Sequence, residues 1–298
     1  MRIPSGQVLT RMKERKRNMK KNRIITALMA AVMVTAFSSC ESGDISSALQ
    51  GPTTQAPVTE AKVTYNKLAE LDGKFLGLQP GTNFDQLILE RLPNAMFKNY
   101  DSFPELLDAL KQGKIDGFPS DEPVVLAAMA TDDSIKMLDE YIEAADFAYA
   151  FPKTEEGTAL CEEFSAYIDE LKSSGKLEEY KMKWMGADES AKTVLDISML
   201  PATKGTLNMV TEGDYEPFNY FKEGKVVGLD IDIAADFCKA KGYALNVEVT
   251  EFSKIIPAIQ EGKYDFAGAG ITVTDERKEV VNFSSPNYSG GVVMVVRK

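Results

Sequence analysis

The chain has 298 residues, 44% hydrophobic and 27% charged, which suits one large two-lobed domain or two small ones. Its net charge of −11 is uneven: residues 1–39 hold nine Lys and Arg against one Glu, a local +8 that leaves the remainder at −19. So acidic a body argues against nucleic acid as a partner, because phosphates need a basic surface. Histidine is absent and the three cysteines are widely spaced, so the commonest general base is missing and no zinc framework is present. Carboxylate-only chemistry stays open, but the composition favours no enzyme, no cofactor and no metal.

RMKERKRNMKKNR is a basic leader, followed by the apolar run IITALMAAVMVTAFSS and then Cys40. Counted from Met19, the segment has the proportions of a signal peptide. FSSC resembles a bacterial lipobox, with Phe37 in place of the usual Leu, and this implies cleavage before Cys40 and lipidation of its thiol. A signal anchor or an ordinary secretory signal is the alternative, although the apolar run is short for a membrane span. Residues 1–40 are therefore read as a signal peptide with a lipobox Cys. Residues 41–64, rich in Ser, Thr, Pro and Gly, are read as a flexible tether.

From 65 onward strands and helices alternate. KFLGLQ reads as a strand, PGTN as a turn and FDQLILERL as a helix. FPELLDALKQGK places Leu106, Leu107 and Leu110 on one helical face, with Gly113 near the end. DEPVVLAAMA reads as helical after Asp121, and DFAYAF as a strand. In TALCEEFSAYIDELKSSG, Leu160, Phe164, Ile168 and Leu171 recur at helical spacing, and KLEEYKMKWMG adds a short helix. After a linker over 187–204 the pattern restarts. TLNMVT is a strand, GDYEPFNYFKEGKVVG a loop and turn, DIDIAADFCKAKG a helix and LNVEV a strand. SKIIPAIQEG is a short helix with Ser253 as its expected N-cap; YDFAGAG, the turn TDERKEV and the strand GVVMVV follow. The alternation predicts an α/β fold with largely parallel sheets flanked by helices, whose ligands sit at the carboxyl ends of strands.

GAGITVTDER carries the most chemistry. Gly268 and Gly270 allow close approach to the backbone, Thr274 can cap a short helix, and Arg277 offers a planar fork for a carboxylate. An Arg in a surface salt bridge is an equal reading on spacing alone. Tyr215 and Phe218 flank Pro217 after one strand and Phe252 follows the next; each is a candidate ligand wall or an ordinary core residue. Glu212 and Asp214 beside Tyr215 either meet a polar or cationic ligand group or face solvent.

YEPF, GLDIDIA and IPAIQEGKYDFAGAGITVTDERKEVVNFSSPNY resemble the N-terminal lobe of solute-binding protein family 3, receptors for polar amino acids with a two-lobed, type II periplasmic-binding-protein-like fold. LGLQPGTN, YDSFPELLDALKQGKIDGFPSDEPV and FAYAFPKTEEGTALCEEFSAYIDELKSSGKLEEYKMKWMG resemble the same family's second lobe and C-terminal helices. The resemblance implies that Arg277 and the Thr272 amide hold a ligand carboxylate. The Gly270 carbonyl and Asp121 would take the ammonium, Thr82 would add a contact from the second lobe, and Tyr215 and Phe252 would sandwich the side chain. Asn83 stands where the family often has Ser or Thr.

The order differs from the family's. Residues 65–146 are second-lobe-like, 147–186 resemble the C-terminal helices that pack with the first lobe, and 205–298 are first-lobe-like. A circular permutant and a truncated tandem protein are both compatible with that order. Cys161 and Cys238 fall in what would be one lobe, where a disulfide or two buried thiols are the alternatives. The resemblance implies an extracytoplasmic, lipid-anchored receptor at the periplasmic or outer face of the cell membrane. Its partners would be a small polar or cationic amino acid and an ABC permease and ATPase. The alternatives are an amino-acid sensor or a cyclohexadienyl-dehydratase-like enzyme with Glu212 as its acid.

Overall fold

Local signals set the elements in chain order. The computed structural model describes residues 63–298, so the signal-peptide and Cys40 expectations and nearly all of the tether lie outside it. β1 (Phe75–Leu78) runs through a turn into α1 (Phe84–Arg91). β2 (Met96–Asn99) precedes α2 (Phe103–Lys111), where the Ser102 hydroxyl accepts from Glu105 N and Pro104 occupies the first turn; Phe103, Leu106 and Leu110 form the buried face. β3 (Gly117–Asp121) passes directly into α3 (Glu122–Thr131), with Asp121 at the junction. β4 (Ile135–Met137), β5 (Glu143–Phe147) and β6 (Ala150–Phe151) follow. Thr154 caps α4 (Glu155–Ser174), which ends at the left-handed Gly175 before α5 (Lys176–Met185).

The second stretch begins with β7 (Thr206–Thr211) and the antiparallel meander β8 (Asp214–Tyr215), β9 (Asn219–Lys222) and β10 (Lys225–Val227). α6 (Leu229–Lys241), β11 (Ala244–Val249), α7 (Phe252–Gln260), β12 (Phe266–Ala267), α8 (Asp275–Lys278), β13 (Asn282–Phe283) and β14 (Tyr288–Arg297) complete it. The meander corrects the loop reading of GDYEPFNYFKEGKVVG. Its β9–β10 turn is the pair Glu223 and Gly224, both at positive φ, the backbone that two-residue hairpins require. The Ser253 cap is also corrected: α7 starts at Phe252, and Glu251 stands at the N-cap without a side-chain cap bond.

Two main sheets define two lobes. The upstream sheet has the order β2-β1-β3-β14-β4, with β5 also on β14; the downstream sheet has the order β11-β7-β12-β6-β13. In each, three parallel strands meet one antiparallel strand from the other part of the chain: β14 beside β3, β6 beside β12. Residues 205–298 therefore do not stay in one lobe, because β14 completes the upstream sheet. DFAYAF is likewise two strands in two sheets, not one.

The chain thus crosses between lobes twice, at Phe147–Tyr149 and Ser284–Asn287. The crossings lie side by side: Ser284 N donates to Tyr149 O at 3.0 Å, and Asn287 N to Phe147 O at 2.9 Å. Paired crossings of this kind form a hinge, since few residues absorb any lobe rotation. Around the downstream sheet, Phe164 packs on Phe237 and Tyr149 with ring centroids 4.4 and 4.5 Å apart. Each such buried ring stabilises by about 1.5–3 kcal/mol. α5 is fixed to α6 by Asp232, which accepts from Trp184 Nε1 at 2.9 Å and from Lys183 Nζ at 2.6 Å. Cys161 and Cys238 are buried free thiols, and burial pushes them up to about 11 and about 12.

Candidate ligand-binding site

The carboxyl ends of β1, β3, β7 and β12 face one cavity between the lobes. It is narrow and is lined by Thr82, Asn83, Asp121, Glu212, Tyr215, Phe252, Gly270, Thr272 and Arg277, joined by Gln79 and Phe84. The eight residues implied by the resemblance and Glu212 lie here, whereas Phe218 is buried in the core and Asp214 does not line the cavity. Gln79 and Phe84 were missed. Gln79 ends the LGLQ strand segment beside Gly81, and that position at a strand's carboxyl end was the available signal. Phe84, at the first turn of α1, reads as core from sequence.

Arg277 is 9% exposed. Its guanidinium donates to Thr272 O at 2.7 Å and, across the cleft, to Gly81 O at 2.8 Å. Among the described residues no carboxylate lies within the 4.0 Å ion-pair distance of it, so the surface salt-bridge alternative does not hold. Burial lowers its pKa, opposed by the field of Asp121, and a buried cation with only carbonyl partners favours an incoming anion. Phe252 lies over the guanidinium at 5.6 Å. Thr274 positions the Arg by accepting from Arg277 N at 3.2 Å.

Asp121 is fully buried at the start of α3. Its Oδ2 accepts from the Tyr215 hydroxyl at 2.6 Å, while Oδ1 is buried with no donor among the described residues. Burial raises its pKa to about 7, against the opposing pull of Tyr215 and Arg277. Glu212 accepts from Gln79 across the cleft, and Gln79 also donates to Asp101 O at 3.1 Å. Burial holds Glu212 well above the ordinary carboxylate range, and Asp214 beside it raises it further.

Two glycines are required here. Gly270 has φ 57, and its N–H is held by Asp230 Oδ2 at 2.9 Å; a Cβ would press on the Tyr215 ring at 3.2 Å. Gly81 has φ 88, and a Cβ there would stand 2.7 Å from Ser253 Cα of the other lobe. Among the described residues, no group of three or more His, Cys, Asp and Glu could hold a metal ion, and no helix is long and apolar enough to cross a membrane.

Two lobes with sheets of the same strand order, joined by paired crossings around one cavity, make this a two-lobed periplasmic-binding-protein-like fold. Residues 207–298 match the sequence model of the bacterial extracellular solute-binding proteins, family 3. The chain is similar to the probable histidine-binding protein of Campylobacter jejuni, 33% identical over 34% of this chain and 40% of that one. It is similar also to the arginine-binding extracellular protein ArtP of Bacillus subtilis, 35% identical over 32% of this chain and 37% of that one. These matches span well under half of either relative's length. The solved arginine-bound form of domain 1 from TmArgBP aligns at 30% identity and a TM-score of 0.28, over 36% of this chain and 87% of that one.

Proposed function

We propose that the chain is an extracytoplasmic lipoprotein, anchored through Cys40, that captures a small polar or cationic amino acid and delivers it to an ABC permease and ATPase. The observation that supports this is the charge layout of the cavity. Arg277, a buried cation without a carboxylate partner among the described residues, and Asp121, a buried carboxylate with one bare oxygen, line the same cavity. A zwitterion supplies the complement of both. Gly81, Thr82 and Asp121 come from the upstream lobe and Arg277, Gly270 and Tyr215 from the downstream lobe, so a ligand touching both favours closure. Each sheet is completed by a strand from the other part of the chain, so both lobes contribute to one cavity. The relatives named above are described as binding histidine and arginine, which agrees with an acidic side-chain end.

Thermal-shift screening of residues 41–298 against the standard amino acids, followed by calorimetry, tests this. One-to-one binding of an amino acid is the expected result. A folded protein that none of them stabilises would overturn it.

A second reading has one observation in its favour: Glu212 is buried, raised in pKa and directed at the cavity, as the acid of a dehydratase must be. Turnover of arogenate or prephenate would establish that reading, and binding without turnover would remove it.

A further inference from the structure

The Phe218 ring joins the wall of the cavity to the hinge. Its backbone is braced in the downstream lobe, where Pro217 O and Phe218 O accept from the first amides of α6, Leu229 N and Asp230 N, both at 3.0 Å. On one side the ring stacks on Tyr215, centroids 6.2 Å apart and planes 23° from parallel. On the other it meets Phe147 and Tyr288, nearly perpendicular to each, at 5.3 Å. Those two residues pair in register between β5 and β14 and stack on each other at 5.5 Å, at the point where both crossings leave the upstream sheet. Phe218 and Phe147 are fully buried and Tyr288 partly so. Tyr215 and Phe218 therefore touch the upstream lobe at two separate places: the Tyr215 hydroxyl at Asp121, and the Phe218 ring at the Phe147–Tyr288 pair. Two contacts from one braced turn define an angle between the lobes, which a single contact would leave free. A closing rotation carries the Phe147–Tyr288 pair across the Phe218 ring, because both crossings begin at that pair. Close-packed flat rings have few alternative arrangements, so the shape of this contact limits where the rotation stops.

We propose that Phe218 is a positioning residue of the amino-acid site, acting through Tyr215. Its ring is the surface on which the hinge turns, and it sets the lobe angle at which the Tyr215 hydroxyl meets Asp121. Phe218 does not itself line the cavity. An aliphatic side chain in its place fills much of the space but offers no flat face to the Phe147–Tyr288 pair. The lobes would then close over a spread of angles, and Asp121 of the upstream lobe would lose its register with Arg277 of the downstream lobe. The proposal rests on the amino-acid-binding reading above.

The test compares Phe218→Leu with Phe237→Leu. Phe237 is a fully buried ring of the same lobe whose ring partners among the described residues are Phe164, Tyr167 and Tyr243, away from the hinge pair. The wild-type protein is screened by thermal shift against each of the twenty standard amino acids, and its tightest binder is the probe for calorimetry and small-angle scattering on all three proteins. Both substitutions are expected to lower the melting temperature. Phe218→Leu is expected to bind the probe about tenfold or more weakly and to lose the compaction that the probe induces. Phe237→Leu should keep wild-type affinity and compaction, since it disturbs the core but not the hinge. Wild-type affinity or wild-type compaction in Phe218→Leu, or an equal loss of affinity in both variants, overturns the positioning role and leaves amino-acid binding standing. Should Phe218→Leu not fold, Tyr288→Leu removes the same contact from its partly buried upstream side and is read by the same criteria. A folded wild-type protein that binds none of the amino acids overturns both.

Discussion

The Tyr215 hydroxyl and Asp121 Oδ2, 94 residues apart in the chain and in opposite lobes, lie 2.6 Å apart across the cleft. This bond occupies one oxygen of the carboxylate and leaves the other bare and buried. With its pKa raised from 3.8 to about 7, Asp121 binds more protons in the folded than in the unfolded chain. Its contribution to stability is therefore complete below 3.8 and is lost as pH rises through about 7. With Asp121 holding the ligand ammonium as proposed, amino-acid affinity would run the opposite way, because the ammonium requires the carboxylate. Affinity is expected to fall by up to about tenfold per pH unit below 7, read by calorimetry between pH 5 and 8. In Asp121→Asn that pH dependence should flatten, and persistence of the full slope in the variant would refute the assignment.

Arg277→Ala removes the buried cation that faces the proposed carboxylate. The expected loss of amino-acid binding is about 2–5 kcal/mol, the scale of breaking a desolvated charged pair. Arg277→Lys keeps the charge but loses the planar fork that now spans Thr272 O and Gly81 O, so affinity should stay well below wild type. Undiminished affinity in Arg277→Ala would sink the carboxylate assignment.

Much of this architecture is legible in the sequence, and the misses share a cause. The α2 and α4 faces follow from leucine and phenylalanine at helical spacing, because a helix buries one stripe and the stripe is local. Thr274 caps α8 as its position indicates. Sheet membership is not local. DFAYAF alternates like one strand, yet Phe147 pairs with Tyr288 in one sheet and Ala150 with Phe283 in the other, since the hinge lies between them. β3 carries Pro119, which lacks a ladder donor. On the β1 side β3 pairs only at Gly117, while on the other side Pro119 stands in register opposite Met294 of β14. In the site, charged and glycine positions could be read from their chemistry, whereas Gln79 depends on Glu212 reaching it from 133 residues away.

Gly81 is where the lobes approach most tightly among the glycines of the cleft. Gly81→Ala adds a methyl 2.7 Å from Ser253 Cα and forces an L-residue to φ 88. The backbone strain alone costs about 1–2 kcal/mol, and the clash exists only when the lobes are together. The variant should stay folded, bind amino acids more weakly, and show less ligand-induced compaction by small-angle scattering. Wild-type affinity and compaction would show that this contact does not govern closure.

Asp230 ties the hinge to the site. Its Oδ2 holds Gly270 N at 2.9 Å, its Oδ1 accepts from Asn287 Nδ2 at 2.9 Å in the second crossing, and its carbonyl accepts from the Tyr149 hydroxyl at 2.7 Å in the first. Burial raises its pKa to about 6, opposed by the Gly270 and Asn287 donors. Asp230→Ala strands both donors in the interior, at about 1–3 kcal/mol each, and frees Gly270 from its left-handed position under Tyr215. A lower melting temperature and weaker amino-acid binding are expected together. Asp230→Asn retains one acceptor and should lose less of both. Should Asp230→Ala lower the melting temperature yet bind at wild-type affinity, Asp230 would be a structural residue of the hinge alone.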